Sequence, residues 1–279
     1  MKVYAVANQK GGVGKSATTL HAGAALAEAG RRVLLIDWDP QGHLTDAIGV
    51  PKAGSAPTDP NLPKAVLGKW QGNLSELIHP ISDNLYLIPS CDEMFLLEGE
   101  MYPQRARERL LTRFLDQLAG VVDDCLIDCP PSLGPLNDAA LVAARDRDRD
   151  HGNGQQQVTG RIVIPVEAED SSLTALRLLL RQIATLQDVV GITLTIAGLV
   201  VNMYDARRGR IATTTLQAYR EHRLPVLGVF GQRKEITEAW RAKQTVIQYA
   251  PDSRIATGYR QLVRTLDPTL PALPATSPA

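Results

Sequence analysis

The sequence KGGVGKS at residues 10–16 lies between a short apolar run and a long helical pattern that opens at Lys15. A bound phosphate needs converging backbone N–H groups, and side chains at the glycine positions would block their approach. The N-terminus of the following helix adds a partial positive charge at the same place. We therefore predict a nucleotide-binding phosphate loop, whose contacts are expected from Gly11, Gly12, Val13, Gly14, Lys15, Ser16 and Ala17.

Two side chains of this phosphate loop (residues 10–16) have a defined chemical use. Lys15 would bring a full positive charge to the β- and γ-phosphates, and the Ser16 hydroxyl would contribute to a Mg²⁺ site. The alternative is a flexible glycine turn with a chance Lys-Ser. The apolar run before the loop and the helical pattern after it favour the phosphate loop.

Carboxylates follow two of the other apolar runs. Asp37 and Asp39 come after residues 33–36, and Asp128 comes after 125–127. The carboxyl ends of parallel strands form the edge of a doubly wound sheet where ligands bind. Strand-end aspartates also cap helices, but two such sites beside a phosphate loop favour a role with the nucleotide.

Short apolar runs alternate with helical patterns along most of the chain. This order is typical of an α/β fold, a doubly wound and mostly parallel sheet with helices on both faces. Gly30 suits the position after a helix end, and Ser171-Ser172 suit a helix start. Strands are predicted at 3–7, 33–36, 85–88, 125–127, 162–166 and 193–201, and helices at 15–29, 173–187, 211–223, 235–243 and 253–266.

The domain organisation follows from three segments that interrupt this alternation. Residues 50–63 contain four prolines and predict a surface loop. Residues 145–160 (RDRDRDHGNGQQQVTG) combine alternating charge with Gly and Gln, and predict a long exposed loop. The tail, 267–279, again contains four prolines and is predicted to be disordered. Since none of these segments looks like a linker between two independent cores, we expect a single domain over residues 1–266, with the phosphate loop near its start.

Composition excludes several classes of protein. The 279 residues include 30 Lys and Arg and 30 Asp and Glu, so overall basicity does not indicate a nucleic-acid partner. Residues 201–279, however, carry 12 basic against 6 acidic residues, which points to an anionic partner there. Three cysteines at no zinc-ligand spacing, no signal peptide and no apolar run of about 18 residues predict a cytoplasmic protein without membrane contact.

The phosphate loop resembles the signature KGGVGK[ST] of the ParA/MinD group of deviant Walker-A ATPases. Gln9 stands where an ordinary Walker-A motif has its first glycine, and Lys10 is the second lysine of the signature. The sequence VLLIDWDPQG at residues 33–42 is similar to the ParA/Soj branch in particular. The resemblance extends with gaps from about residue 1 to 266. Ala17 departs from the usual Thr, which would remove a hydroxyl contact to the α-phosphate.

This resemblance implies a mechanism that uses ATP and Mg²⁺. Two subunits would sandwich ATP, and Lys10 would reach the nucleotide of the partner as a catalytic residue beside Lys15. Asp39 would position the attacking water, and Asp37 would support Mg²⁺ or the loop. Asp128, followed by Cys-Pro-Pro, looks like the Walker-B aspartate that bonds to Mg²⁺-bound water. The ATP-dependent homodimer would then part on hydrolysis.

Two later segments match the family less completely. Residues 199–207 resemble the strand and loop beside adenine, with Asn202 and Met203 at the base. Phe230 and Gly231 fall where ParA proteins commonly have a Pro-Arg-Asn segment that closes over adenine, but the Pro is missing here.

The resemblance also implies non-specific DNA binding by the ATP-bound dimer. Residues 204–234 contain seven basic residues, and the matching region of ParA proteins binds DNA phosphates. The alternative is an ordinary solvated helix face. The residues expected to bind DNA are Arg207, Arg208, Arg210 and Arg233. The function implied is plasmid or chromosome partitioning on the nucleoid, with hydrolysis stimulated by a ParB-like adaptor.

Three other functions stay open. A MinD-like positioning ATPase would need a basic amphipathic C-terminal helix, whereas this tail is rich in proline. A P-loop ligase of the dethiobiotin-synthetase kind would bind a small acceptor beside ATP. The nitrogenase iron protein holds an iron–sulfur cluster through cysteines, but Cys125 and Cys129 flank a predicted buried strand. The chain begins just before its first strand, so we expect no N-terminal helix-turn-helix domain.

Overall fold

The computed structural model describes residues 1–52, 59–70, 72–151 and 154–271. Its described strands form a sheet in the order β3-β4-β2-β5-β1-β7-β8-β9, with β6 paired to β7. The strands are β1 (Lys2–Val6), β2 (Val33–Asp37), β3 (His79–Ser82), β4 (Leu85–Ile88), β5 (Asp124–Asp128), β6 (Arg147–His151), β7 (Gly154–Glu167), β8 (Ile196–Tyr204) and β9 (Val226–Gly231).

Helices connect these strands. The α-helices are α1 (Lys15–Glu28), α2 (His43–Ile48), α3 (Leu62–Val66), α4 (Met94–Met101), α5 (Leu110–Asp116), α6 (Pro135–Ala143), α7 (Asp170–Val190), α8 (Arg210–Glu221), α9 (Lys234–Arg241), α10 (Val246–Tyr249) and α11 (Arg254–Leu266). Short 3₁₀ turns lie at Leu74–Leu77, Arg107–Arg109 and Ala206–Arg208. In the described part of the chain, no helix is both long and apolar enough to span a bilayer.

The sheet is covered on both faces. Successive side chains of a strand point to opposite faces, so Leu34 and Ile36 of β2 join one apolar core while Leu35 joins the other. The second core includes α1 and Tyr259 of α11. Only the β3–β4 and β6–β7 pairs are antiparallel among the described strands. The predicted doubly wound, mostly parallel α/β fold is confirmed.

Strand order brings the predicted site together. β5 lies between β1 and β2, and the register pairs Asp128 with Val6 on one side and with Asp37 on the other. The phosphate loop follows β1 directly, so three separate parts of the sequence meet at one edge of the sheet. This edge is formed by the carboxyl ends of the strands, as expected for a ligand site in this kind of sheet.

Segment 145–160 is not the loop that we predicted. It contains β6 and the first residues of β7, which form an antiparallel hairpin around 152–153, outside the described residues. Two of its charged residues have partners within the fold. Asp146 accepts a hydrogen bond from the Gly160 N–H at 2.7 Å, and Arg147 pairs with Asp116 of α5 at 2.9 Å. Charges that alternate in sign along the sequence match the two-residue repeat of a strand, and this segment contains a strand rather than the predicted loop.

Of two helix boundaries predicted from capping residues, one agrees with the structure and one differs. Helix α1 begins at Lys15 and is followed by Gly30 with φ +85°, as predicted for a residue after a helix end. Helix α7 begins at Asp170 with Glu169 as its N-cap, so the predicted caps Ser171 and Ser172 lie in its first turn instead. The hydroxyls of both serines contact Lys10.

The proline-rich segments are more ordered at their ends than predicted. The loop predicted at 50–63 runs into α3, which Asn61 caps by accepting a hydrogen bond from the Lys64 N–H. Of the predicted disordered tail, residues 267–271 are held in place, since Asp267 is 1% exposed and pairs with Lys2 at 2.5 Å. Residues 53–58 and 272–279 lie outside the described part of the chain.

Candidate nucleotide-binding site

Backbone geometry prepares the phosphate loop for an anion. Gly12 and Gly14 have φ angles of +77° and +84°, a region that L side chains rarely adopt. Asn8 anchors the start of the loop, because its amide donates to the Pro165 carbonyl at 2.6 Å and its Oδ1 accepts from the Lys10 N–H at 3.0 Å. The loop is thereby fixed between β1 and β7 before the nucleotide binds.

Asn202 at the end of β8 holds the loop from behind. Its Nδ2 donates to the Val13 carbonyl at 2.9 Å and to the Thr18 hydroxyl at 3.2 Å. A Cβ added at Gly14 would lie 2.7 Å from this Nδ2, so the close approach requires glycine. In this structure, the amide that we expected at the adenine edge supports the phosphate loop.

The side chain of Lys15 lies inside its own loop. It is 7% exposed, and its ammonium donates to the Lys10 carbonyl at 3.2 Å. Burial lowers the pKa of Lys15 below its ordinary value, although the nearby carboxylates of Asp128 and Asp39 act in the opposite sense. A bound phosphate would add negative charge beside this buried cation and favour its charged form.

The carboxylates of Asp37 and Asp128 are buried and incompletely partnered. No hydrogen bond of ordinary geometry from the described chain reaches either oxygen of Asp128 or Oδ1 of Asp37, although the Ser16 hydroxyl lies near Asp128. Burial, together with the Asp37 charge, holds the pKa of Asp128 well above its usual range. Burial also raises the pKa of Asp37 to about 7, against two hydrogen bonds from Thr45. Two buried carboxylates without enough cations nearby fit a magnesium site.

Magnesium would be shared with the nucleotide at this place. Among the described residues, no group of three His, Cys, Asp or Glu side chains is arranged to hold a metal ion by itself. Mg²⁺ typically takes one or two carboxylates, water and substrate phosphates. Ser16 lies close enough to Asp128 for its hydroxyl to lower that pKa. The residues available to hold the ion here are Ser16, Asp37 and Asp128.

Asp39 lies on a tight turn after β2. Its carbonyl accepts from the Gly42 N–H at 2.9 Å and its Oδ1 accepts from the Gln41 N–H at 3.0 Å. The residue is 6% exposed. The turn brings this carboxylate close enough to Lys15 and Asp128 to act on the pKa of each.

Lys10 points away from its own phosphate loop. Its ammonium lies 2.5 Å from Glu167 Oε2 and 3.1 Å from Glu169 Oε2, at the end of β7. Burial alone would lower the pKa of Lys10, but the hydrogen bonds from its ammonium to both glutamates hold that pKa above the ordinary value. Sequence reasoning missed these partners. Their signal was a strand-end position after 162–166, like that of the aspartates.

The predicted adenine side is only partly available for a base. The Phe230 ring is 5% exposed and stacks on Tyr259 at 4.4 Å, so it belongs to the core and only its backbone could face a nucleotide. Strands β8 and β9 end beside each other, since Tyr204, the last residue of β8, pairs with Gly231, the last residue of β9. Met203 adopts φ +53°, an uncommon value for a residue other than glycine, at the same edge.

The predicted DNA-binding residues lie beyond this edge. The Arg207 side chain is 92% exposed and pairs with Asp205 at 3.0 Å, which neutralises part of its charge. Arg210 is the first residue of α8, Arg233 is the residue just before α9, and both are exposed. The side chain of Arg208 lies outside the described part of the structure. Arg207, Arg210 and Arg233 therefore lie after the carboxyl ends of β8 and β9, at one end of the sheet.

Known proteins resemble this chain over nearly its whole length. Residues 1–196 match the family described as "AAA domain". Sporulation initiation inhibitor protein Soj of Bacillus subtilis is 32% identical, over 94% of this chain and 97% of its own length. Chromosome-partitioning ATPase Soj of Thermus thermophilus is also 32% identical, over 92% of each chain. A Mycobacterium smegmatis structure, described as cobyrinic acid a,c-diamide synthase with a bound ATP analogue and magnesium, is 29% identical with a TM-score of 0.73 and covers 95% of this chain and 96% of its own.

The fold and the phosphate loop define a P-loop ATPase that uses ATP and Mg²⁺. Within that class the chain belongs to the Soj/ParA family of partitioning ATPases, because its similarity to Soj covers more than nine tenths of both sequences.

Proposed function

We propose that this protein is a DNA-partitioning switch, which dimerises with ATP, binds DNA without sequence preference and is released by hydrolysis. The observation that carries the proposal is the division of work between two lysines. Lys15 turns into its own phosphate loop, whereas the Lys10 ammonium points out of that loop to the end of β7. One loop thus has a lysine for its own nucleotide and a second that is free of that task.

In the proposed dimer, Lys10 leaves its glutamates and contacts the nucleotide of the other subunit. A cation delivered across an interface stabilises the charge that develops on the transferred phosphoryl group. Because the contact requires the γ-phosphate, dimerisation depends on ATP and is lost on hydrolysis. Hydrolysis would thereby separate the subunits.

Within each site, the carboxylates have separate tasks. Asp39 orients the attacking water. Its carboxylate is held on a turn near Lys15, apart from the buried carboxylate oxygens of Asp37 and Asp128 that are assigned to Mg²⁺. Asp37, Asp128 and Ser16 hold Mg²⁺, which neutralises phosphate charge when bound. Backbone groups of Met203, Phe230 and Gly231 and the side chain of Asn202 line the adenine side.

DNA binding is assigned to Arg207, Arg208, Arg210 and Arg233. Each subunit would contribute a weak patch, and two patches on one dimer bind together far more tightly than either alone. The basic excess of residues 201–279 supports this placement. The nucleoid is then the expected location, a ParB-like adaptor the expected stimulator, and a plasmid or chromosome the expected cargo.

The M. smegmatis structure, described as a cobyrinic acid a,c-diamide synthase with a bound ATP analogue, favours a second candidate, a ligase that uses ATP together with a metabolic acceptor. DNA retention with each nucleotide separates the two functions. If the protein is a partitioning switch, immobilised non-specific DNA retains it with ATP and magnesium but not with ADP, and added salt abolishes this retention. Equal retention with ATP and ADP would contradict the proposal.

A further inference from the structure

Ser90, just beyond the end of β4, contacts the turn that carries Asp39. Its hydroxyl donates to the Asp39 carbonyl at 2.8 Å, and its side chain is fully buried. The same carbonyl closes the turn by accepting from the Gly42 N–H. Gly42 adopts φ +71°, and a Cβ there would lie 3.5 Å from the Ser90 Cβ, so this turn packs directly on Ser90.

Ser90 also reaches the second carboxylate of β2. Its backbone N–H donates to the Thr45 hydroxyl at 2.9 Å, and that hydroxyl lies 2.6 Å from Asp37 Oδ2. Because the Thr45 oxygen accepts from Ser90, its own proton is directed to Asp37. Ser90, just beyond β4, therefore connects the side chain of Asp37, through Thr45, with the backbone of Asp39.

We propose that Ser90 is a positioning residue for ATP hydrolysis, which acts by fixing the Asp39 turn against β4. The proposal rests on the proposed role of Asp39 in orienting water. Ser90 itself is buried beneath the turn and is not assigned to the nucleotide. Small displacements of a water-orienting group lower the rate of the chemical step with little effect on ground-state binding.

The test compares Ser90→Ala with the unchanged protein in steady-state ATP hydrolysis and in nucleotide binding. We expect kcat to fall by about threefold to tenfold, the usual effect of one lost hydrogen bond, with nucleotide affinity unchanged within about twofold. Thr112→Ala is the matched control, because it removes another buried hydroxyl, far along the chain on α5, and its kcat should match that of the unchanged protein.

A double variant tests whether Ser90 acts through Asp39. In the Asp39→Ala background, Ser90→Ala should cause no further loss of the residual rate, since the positioned group is already gone. The same fractional loss in both backgrounds, or an unchanged kcat in Ser90→Ala, would overturn the proposal. If Ser90→Ala does not fold, Ser90→Cys retains a weaker donor on a slightly larger side chain, and an unchanged kcat in that variant would equally overturn the proposal.

These outcomes separate the two levels of the proposal. An Asp39→Ala variant that hydrolyses ATP at the normal rate would refute the role of Asp39. It would also refute the proposal that Ser90 acts through Asp39. A strong loss in Asp39→Ala with a normal Ser90→Ala would refute the role of Ser90 alone.

Discussion

Asp37 and Asp128 lie directly opposite each other at the carboxyl ends of β2 and β5, and both are buried. Two carboxylates in this arrangement repel each other when both are ionised, and burial adds to the cost. The apo protein thus keeps an electrostatic penalty at the place where Mg²⁺ and phosphate would bind. Binding of the metal with the nucleotide would remove that penalty.

The first prediction concerns stability of the apo protein. Asp128→Asn removes the negative charge from the buried pair, so the variant should unfold at a higher temperature than the unchanged protein without nucleotide and metal. It should gain less stability from Mg-ATP, because a ligand of the ion is lost. Thermal unfolding with and without Mg-ATP measures both effects, and a lower melting temperature of the apo variant would contradict the account.

The second prediction concerns pH. The pKa of Asp37 is about 7 in the folded chain, well above that of an ordinary aspartate. The folded state therefore binds more protons than the unfolded state from about pH 4 to pH 7. As pH rises through that interval, the effect of Asp37 lowers the free energy of unfolding. Asp37→Asn should remove this part of the slope. Urea unfolding at several pH values, without metal, measures the difference, and identical slopes would refute it.

Sequence alone predicted the parts of the site that are local motifs. The phosphate loop, Asp37, Asp39 and Asp128 each follow an apolar run, and parallel strand order was enough to bring them together. Glu167 follows the apolar run at 162–166, but the glutamate partners of Lys10 lie more than a hundred residues away along the chain, and a strand-end position alone does not reveal their pairing with Lys10. Phe230 likewise fits a base-binding loop by position, but tertiary packing buries its ring on Tyr259.

The hairpin of β6 and β7 shows the same limit. Charged residues in alternation with Gly and Gln are common in exposed loops, and the sequence therefore predicted one. Tertiary ion pairs such as Arg147 with Asp116 are not visible in a local pattern.

The third prediction concerns hydrolysis. Asp39→Ala should bind ATP and dimerise but hydrolyse ATP about a hundredfold more slowly, because the attacking water loses its orienting carboxylate. Phosphate release and nucleotide binding measured on the same preparation separate the two effects. A variant that also fails to bind ATP would place Asp39 in binding instead.

The fourth prediction concerns DNA. The double change Arg207→Glu and Arg208→Glu should reduce ATP-dependent retention on DNA and flatten its dependence on salt, since fewer phosphates are neutralised. ATP binding should be unaffected. Asp205→Asn is the matched control, because it frees Arg207 from its partner and should leave retention equal or stronger. Unchanged retention in the double variant would place the DNA surface elsewhere.

The central claim is that ATP joins two copies of the chain through Lys10. Light scattering after size exclusion, with magnesium and a slowly hydrolysed ATP analogue, tests it most directly. The account predicts a dimer for the unchanged protein and a monomer that still binds the analogue for Lys10→Ala. An unchanged protein that stays monomeric with the analogue bound, or a Lys10→Ala variant that dimerises equally well, would contradict it.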